Sequence, residues 1–302
     1  MSLSFRDGVQ FAFDATTLTL AQTCLRKYQY KILEGWQPHH LSVHLLFGQL
    51  YATALEHFYK HRAEGADIDE ALRRVVKEAM EGSWNPELGA AREFDHAAKT
   101  RANLIRSIIW YVDQFGDETD SGIQTFHFPD GRPAVEVSFT LNVDNDIVFC
   151  GHLDRIVEYG GALYVMDQKT TGSTISPKFF DDFKPDTQMS MYTFAGQAVM
   201  HSPVKGVIID GAQIAVGFTR FERGFTFRTA AELDEWYDEM MGLAATIRSA
   251  TMLRNFPMNR SSCGNYGGCE FRRVCSRSPE VREQFLKADF AKKKAWDPLE
   301  RR

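Results

Sequence analysis

The chain has no apolar run long enough to cross a membrane. No uninterrupted stretch of its 302 residues approaches the roughly 18 that a spanning helix needs. Proline is scarce at ten residues, and neither low-complexity tracts nor internal repeats are evident, which fits a globular, soluble chain. Positive charge is not in excess. The formal charge of −5 and a pI near 6.0 argue against a protein that coats nucleic acid generically, although a local basic path remains compatible with them. Cysteines number only five, and the opening MSLSFRDGVQ carries no long apolar leader, so a reducing compartment is expected and disulfides are disfavoured. What is present, 44% apolar residues in a chain of this length, can bury a sizeable core in one large or two small domains.

The most informative stretch is GHLDRIVEYGGALYVMDQK at residues 151–169. Asp154 lies inside an apolar, strand-like run, Gly160-Gly161 marks a turn, and a second run ends in Asp167-Gln168-Lys169. A hairpin brings both acids and the lysine to one place. Alternation puts Leu163, Val165, Asp167 and Lys169 on one face and Tyr164, Met166 and Gln168 on the other. Charge on the face of Leu163 and Val165 is costly unless it is used. Two carboxylates that can share Mg²⁺ or Mn²⁺, beside an ammonium, are the parts that metal-assisted phosphodiester hydrolysis needs. An ordinary hairpin with surface charges is the plainer reading of the same residues.

Around this hairpin the patterning predicts helices over 16–34, 42–64, 67–82 and 88–115, with a break at Trp84-Asn85-Pro86. Strands are expected from Ala134, over 147–158 and over 162–169, then a helix at 185–200, strands at 204–217 and 223–228, and a helix at 229–252. The stretch from Lys287 onward reads as a frayed helix or tail. The order gives an α/β protein in three parts: helical 1–130, a mixed-sheet core at 131–230, and a C-terminal helix with a cysteine segment at 231–302, together one compact unit.

Gly151-His152-Leu153-Asp154 followed by Asp167-Gln168-Lys169 resembles the catalytic hairpin of the PD-(D/E)xK nuclease superfamily. Gln188-Met189-Ser190-Met191-Tyr192 is similar to the Q-x-x-x-Y element of its RecB-like branch; Gln188 and Tyr192, four apart, share a helix face. The resemblance implies a restriction-endonuclease-like core in which Asp154 and Asp167 bind the metal, the Gln168 carbonyl is a further ligand, and Lys169 orients or activates water. Gln188 and Tyr192 would steady the site or the strand. Glu136, in the preceding strand, resembles an acid found there in many members; a polar residue on a half-exposed strand reads equally well.

Cys263, Cys269 and Cys275 are spaced by five residues in CGNYGGCEFRRVC, while Cys24 lies far upstream. With the nuclease core between them, these four resemble the thiolates that hold a [4Fe–4S] cluster in RecB-like iron–sulfur nucleases, among them AddB-type and CRISPR-associated exonucleases. Four thiolates also suit structural zinc, and the identity stays open. Either centre would clasp the C-terminal knuckle to the N-terminal helix. Cys150, in an apolar run, reads as a buried small hydrophobe.

One family residue is absent. RecB-like members carry a histidine ligand four residues after a glycine on an early helix, and here Gly48 is followed at that distance by Ala52. His57 lies about 140° around the helix from Ala52. Glu56, one turn on, offers a direct or water-bridged ligand.

Two functions are therefore weighed. One is a metal-dependent exonuclease on single-stranded or frayed DNA ends, in bacterial recombination, repair, phage or CRISPR-related processing, cytoplasmic and with a possible protein partner from those pathways. The other is a nuclease-fold protein that binds DNA or a partner without cutting. Tyr28 and Tyr192 are candidate stacking platforms, and Arg26, Lys27, Arg101, Arg106, Arg155, Arg272 and Arg273 candidate phosphate contacts.

Overall fold

The computed structural model describes residues 4–39, 42–85, 89–91, 96–144, 146–200, 202–294 and 296–299. In chain order the main elements are Ala12–Phe13 (β1), Ala15–Thr23 (α1), Val43–Ala63 (α2), Ile68–Gly82 (α3) and Arg101–Phe115 (α4). Ile123–Thr125 (β2), Val135–Asp144 (β3), Ile147–Tyr159 (β4) and Ala162–Thr171 (β5) follow. Thr187–Met200 (α5), Val204–Ile214 (β6), Thr219–Phe227 (β7) and Ala230–Met252 (α6) complete the set.

The chain divides into two interleaved units. One contains Ser42–Ser138 and His152–Arg228. Its sheet runs β7-β6-β5-β4, with β2 antiparallel to the C-terminal half of β4. The β5–β6 pair is parallel and its neighbours antiparallel, so the sheet is mixed. Gly160 and Gly161, both at positive φ, make the turn that sets Ala162 opposite Tyr159, a geometry glycine adopts without strain. On one face Ala212, Ile214 and Phe221 pack with Phe47, Tyr51, Leu55 and Phe58 of α2, Val75 of α3, and Leu104, Ile108 and Tyr111 of α4. On the other face α5 lies so close that a Cβ built at Gly196 would stand 3.0 Å from Val165 Cγ2.

Gly206 on β6 is equally constrained. A Cβ there would lie 2.4 Å from the Thr226 carbonyl oxygen, which belongs to the sheet backbone. Gly206→Ala is expected to cost about 1–3 kcal/mol through overpacking, read as a lower urea midpoint.

The second unit contains Met1–Leu41, Phe139–Gly151 and Thr229–Arg302. Here β1 pairs in parallel with β4 at Val148 and Phe149. Helix α1 starts at a capping box, in which the Asp14 carboxylate accepts from Thr17 N–H and the Thr17 hydroxyl accepts from Asp14 N–H. Tyr30, Trp36, Phe271, Val274, Leu286 and Phe290 form its small core, with Cys269 and Cys275 packed against it.

Three expectations are corrected. Helix α4 begins at Arg101, capped by the Thr100 hydroxyl accepting from Asn103 N–H, whereas a helix was expected from 88; residues 86–88 and 92–95 lie outside those described. The tail is ordered through Phe290–Lys292, a strand pairing with Trp36–Pro38, because the Phe290 ring stacks on Phe271 at 4.7 Å. Tyr28 is fully buried and donates its hydroxyl hydrogen to Gln10, so it offers no stacking surface.

Candidate active site

Positions 165, 167 and 169 of β5 share a face, and positions 188, 192 and 196 of α5 share another. The two are apposed. Gly196 sits on Val165, and two turns earlier the Gln188 side chain meets Lys169. Lys169 Nζ donates to Gln188 Oε1 at 3.0 Å, and Gln188 Nε2 donates to the Tyr192 hydroxyl at 3.0 Å. Lys169 is also ion-paired with Asp167. Across the hairpin, the Asp154 carboxylate accepts from Gln168 N–H at 3.2 Å, which ties the first acid to the strand carrying the second. Asp154, Asp167, Lys169, Gln188 and Tyr192 thus stand in one connected network.

Its electrostatics follow from burial. Asp167 is 1% exposed, and desolvation raises its pKa against the opposing pull of Lys169. Asp154 is pushed up to about 7, first by burial and then by the charge of Asp167. Burial works against the Lys169 ammonium, but Asp167 and Asp154 outweigh it and hold its pKa above the ordinary value. Tyr192 is held neutral by burial and by the same two acids. The pocket sets two buried acids against one ammonium, a surplus of acid groups that burial keeps from ionising freely.

That surplus tests the fit of a divalent cation. Asp167 Oδ2 is buried and, apart from its contact with Lys169, receives no hydrogen bond of good geometry. Among the described residues no three His, Cys, Asp or Glu side chains converge as a ligand set. Two carboxylates suit Mg²⁺ all the same, because magnesium keeps several waters and binds through one or two acids.

The remaining sequence candidates divide. Glu136 stands near the pair, within electrostatic reach of Asp154, with an oxygen 3.9 Å from His152 Nδ1. Its φ of 50° is the left-handed region that a β-region glutamate rarely adopts. His152, to which the sequence pattern assigns no role, stands beside the acids as well. It lies two positions before Asp154, on the same strand face, and its Nδ1 is 3.0 Å from Ser138 Oγ. The period-2 rule applied to Gly-His-Leu-Asp was signal enough. Glu56 is ion-paired with Lys60 on its own helix, away from the carboxylate pair in its described contacts. His57 is held 2.6 Å from Glu78 on α3.

Most candidate phosphate contacts turn out to support the fold. Arg155 is a correction: it is 3% exposed, lies 3.7 Å over the Tyr59 ring and pairs with Glu118 at 3.3 Å. Arg106 donates to the carbonyls of Ala215, Val216 and Phe218, and Arg101 to Met80 O. Arg26 binds Phe256 O, Lys27 lies 3.8 Å from Glu270, and Arg273 pairs with Asp289. Arg272 is exposed.

All four outlying cysteines belong to the second unit, as free, part-exposed thiols. Cys269 N–H donates to Cys263 O at 3.0 Å. Burial raises the Cys275 pKa, and both Cys269 and Cys24 are close enough to add to the effect. Cys24 Sγ accepts from Asn259 N–H at 3.3 Å. Cys150 is buried, its thiol directed at Phe13 O.

A family model for the PD-(D/E)XK nuclease superfamily matches residues 12–276. The chain is similar in structure to a protein from Eubacterium rectale described as a "putative exonuclease", with a TM-score of 0.52 and 13% identity over 90% of this chain and 91% of that one. The structure of SSO0001 aligns over 79% of this chain and 78% of its own, at a TM-score of 0.33 and 12% identity. No curated protein matches the sequence.

Proposed function

Since the chain belongs to the PD-(D/E)XK nuclease superfamily, we propose that it is an Mg²⁺- or Mn²⁺-dependent exonuclease acting on single-stranded or frayed DNA ends. The observation that carries this reading is the joined network Asp154, Asp167, Lys169, Gln188 and Tyr192. The superfamily commonly uses these two ions. Here Asp154 and Asp167, with the Gln168 carbonyl, would hold one, and Glu136 stands near enough to support them. When bound, the ion supplies Lewis-acid polarisation of the phosphate and acidifies a coordinated water.

The chain's own residues do the rest. Asp167 fixes the Lys169 ammonium by charge, and Gln188 fixes it by accepting one of its three hydrogens. Tyr192, a neutral phenol, accepts from the Gln188 amide and so sets which end of that amide faces the lysine. Lys169 keeps donors for the attacking water or for charge growing on the phosphate oxygens. Burial on this face excludes bulk water from the acids. No helix among the described residues is long and apolar enough to cross a membrane. A setting in phage, CRISPR-related or recombination pathways belongs to the same proposal.

The test is digestion of end-labelled single- and double-stranded DNA with Mg²⁺, Mn²⁺ or chelator. Metal-dependent release of short products from an end supports the reading. Retention of full-length label under every condition sinks it.

The cysteines carry a second part of the proposal. Cys24, Cys263, Cys269 and Cys275 would hold an iron–sulfur cluster, with zinc as the competing occupant. Protein purified without oxygen is expected to be brown and to contain iron, and Cys275→Ser to lose both colour and iron. A colourless protein containing zinc would replace the cluster with a zinc clasp.

A further inference from the structure

Away from the carboxylate pair, one buried charge has no acid to balance it among the described residues. Lys99 is 2% exposed, and its Nζ lies 4.5 Å from the centroid of the Phe47 ring. Burial alone lowers its pKa, to about 8, and among the described residues no carboxylate pairs with it. A buried lysine without an acid is uncommon, because an unpaired ammonium is costly to desolvate.

Its neighbours are also cation-capable. The rings of His44 and His96 meet edge-on at 4.9 Å, and the His44 pKa is lowered by burial and then by His96 and Lys99. His96 Nδ1 accepts from Ala98 N–H and Lys99 N–H, both at 3.1 Å, so its ring proton sits on Nε2, where it can be donated. Lys99 directly precedes Thr100, the N-cap of the 15-residue helix α4, whose first-turn N–H groups carry partial positive charge. Ammonium, imidazole and helix N-terminus gather at one place with donors to spare. This is the composition of an anion receptor.

The receptor adjoins the active-site strand. Phe47, under the Lys99 ammonium, is followed by Gly48, where a Cβ would stand 3.3 Å from Thr170 Oγ1; Thr170 follows Lys169 in β5 and points to the opposite face of the sheet, so a strand reaching both passes the end of β5. We propose that Lys99, with His44 and His96, binds one phosphate of the nucleic-acid strand, beside the phosphate that is cut. This deepens the nuclease reading and rests on it: a strand laid across Asp154 and Asp167 presents further phosphates at regular intervals, and Lys99 takes one of them.

The experiment is binding rather than cleavage. A fluorescent oligothymidylate, with or without a 5′-phosphate, is titrated with the whole chain in chelator, and affinity is followed against salt. Lys99→Met is expected to weaken binding about tenfold and to flatten the salt slope by about 0.7, while Lys99→Arg stays near wild type. Equal weakening on both oligonucleotides assigns an internal phosphodiester; a loss confined to the phosphorylated one assigns a terminal phosphate. Lys99→Met removes a buried charge, so it should fold with an unchanged or raised thermal midpoint. Folded Lys99→Met with wild-type affinity and salt slope overturns the inference and leaves the nuclease reading intact. A wild-type chain that binds neither oligonucleotide in chelator yet cuts DNA with Mg²⁺ overturns the inference alone; one that neither binds nor cuts overturns both.

Discussion

Asp167→Asn is expected to lower DNA cleavage by at least about 10³-fold while the protein stays folded. The substitution keeps the side chain's shape and removes the charge that a divalent ion and Lys169 both use. Because Asp167 is almost wholly buried and its ionised form is disfavoured there, asparagine removes a desolvation cost. The thermal midpoint should hold or rise in chelator, and its response to added Mg²⁺ should shrink. Lys169→Ala should lose activity on the same scale with little change in oligonucleotide affinity, since its amine is engaged at the reacting centre. Either variant cutting at the wild-type rate would remove the catalytic assignment.

The second large effect concerns stability. Asp210→Ala is expected to cost about 3–5 kcal/mol in urea unfolding. The Asp210 carboxylate is buried on β6, where it accepts from the Tyr111 hydroxyl at 2.5 Å and from Arg223 Nε at 3.1 Å. Arg223 in turn lies 3.7 Å over the Phe115 ring and is largely buried. Removing the acid leaves a guanidinium and a phenol in the interior without their acceptor, between α4 and the sheet. Replacing the pair together, as Asp210→Leu with Arg223→Met, should recover most of the loss, because no uncompensated charge remains. A single-variant cost below about 1 kcal/mol would show that the pair is solvated in the native state.

What the sequence discloses here is mostly local. The Gly-Gly turn and the alternation on either side of it set the β4–β5 register, and that register alone brings Asp154 to Asp167 and Lys169. The spacing of Gln188 and Tyr192 likewise places both on one helix face. Arg155 shows where this fails. Its neighbours along the chain make it look like any surface arginine, yet its partners Tyr59 and Glu118 lie far off in sequence, and only tertiary packing turns it inward. Lys99 is silent in the sequence for the same reason: its burial depends on Phe47 of α2, far off along the chain. The start of α4 was misjudged because apolar spacing continues upstream of Thr100, whose cap is a weaker signal than the periodicity it interrupts. Ala52 was legible as a departure from the family, but which group stands in for the missing imidazole is not given by spacing, since Glu56 and His57 are committed to Lys60 and Glu78.

The cysteine-bearing unit is assembled from three segments, Met1–Leu41, Phe139–Gly151 and Thr229–Arg302. On the ribosome these emerge far apart in time, at about 5–20 residues per second. Cys24 is therefore exported long before Cys263, Cys269 and Cys275 exist, and must wait as a lone thiol. The segments of the first unit are all available once Arg228 has emerged, so that unit can mature first. An inorganic centre held by the four thiols, as proposed, would be inserted late, into a chain whose Asp154–Asp167–Lys169 hairpin has already emerged.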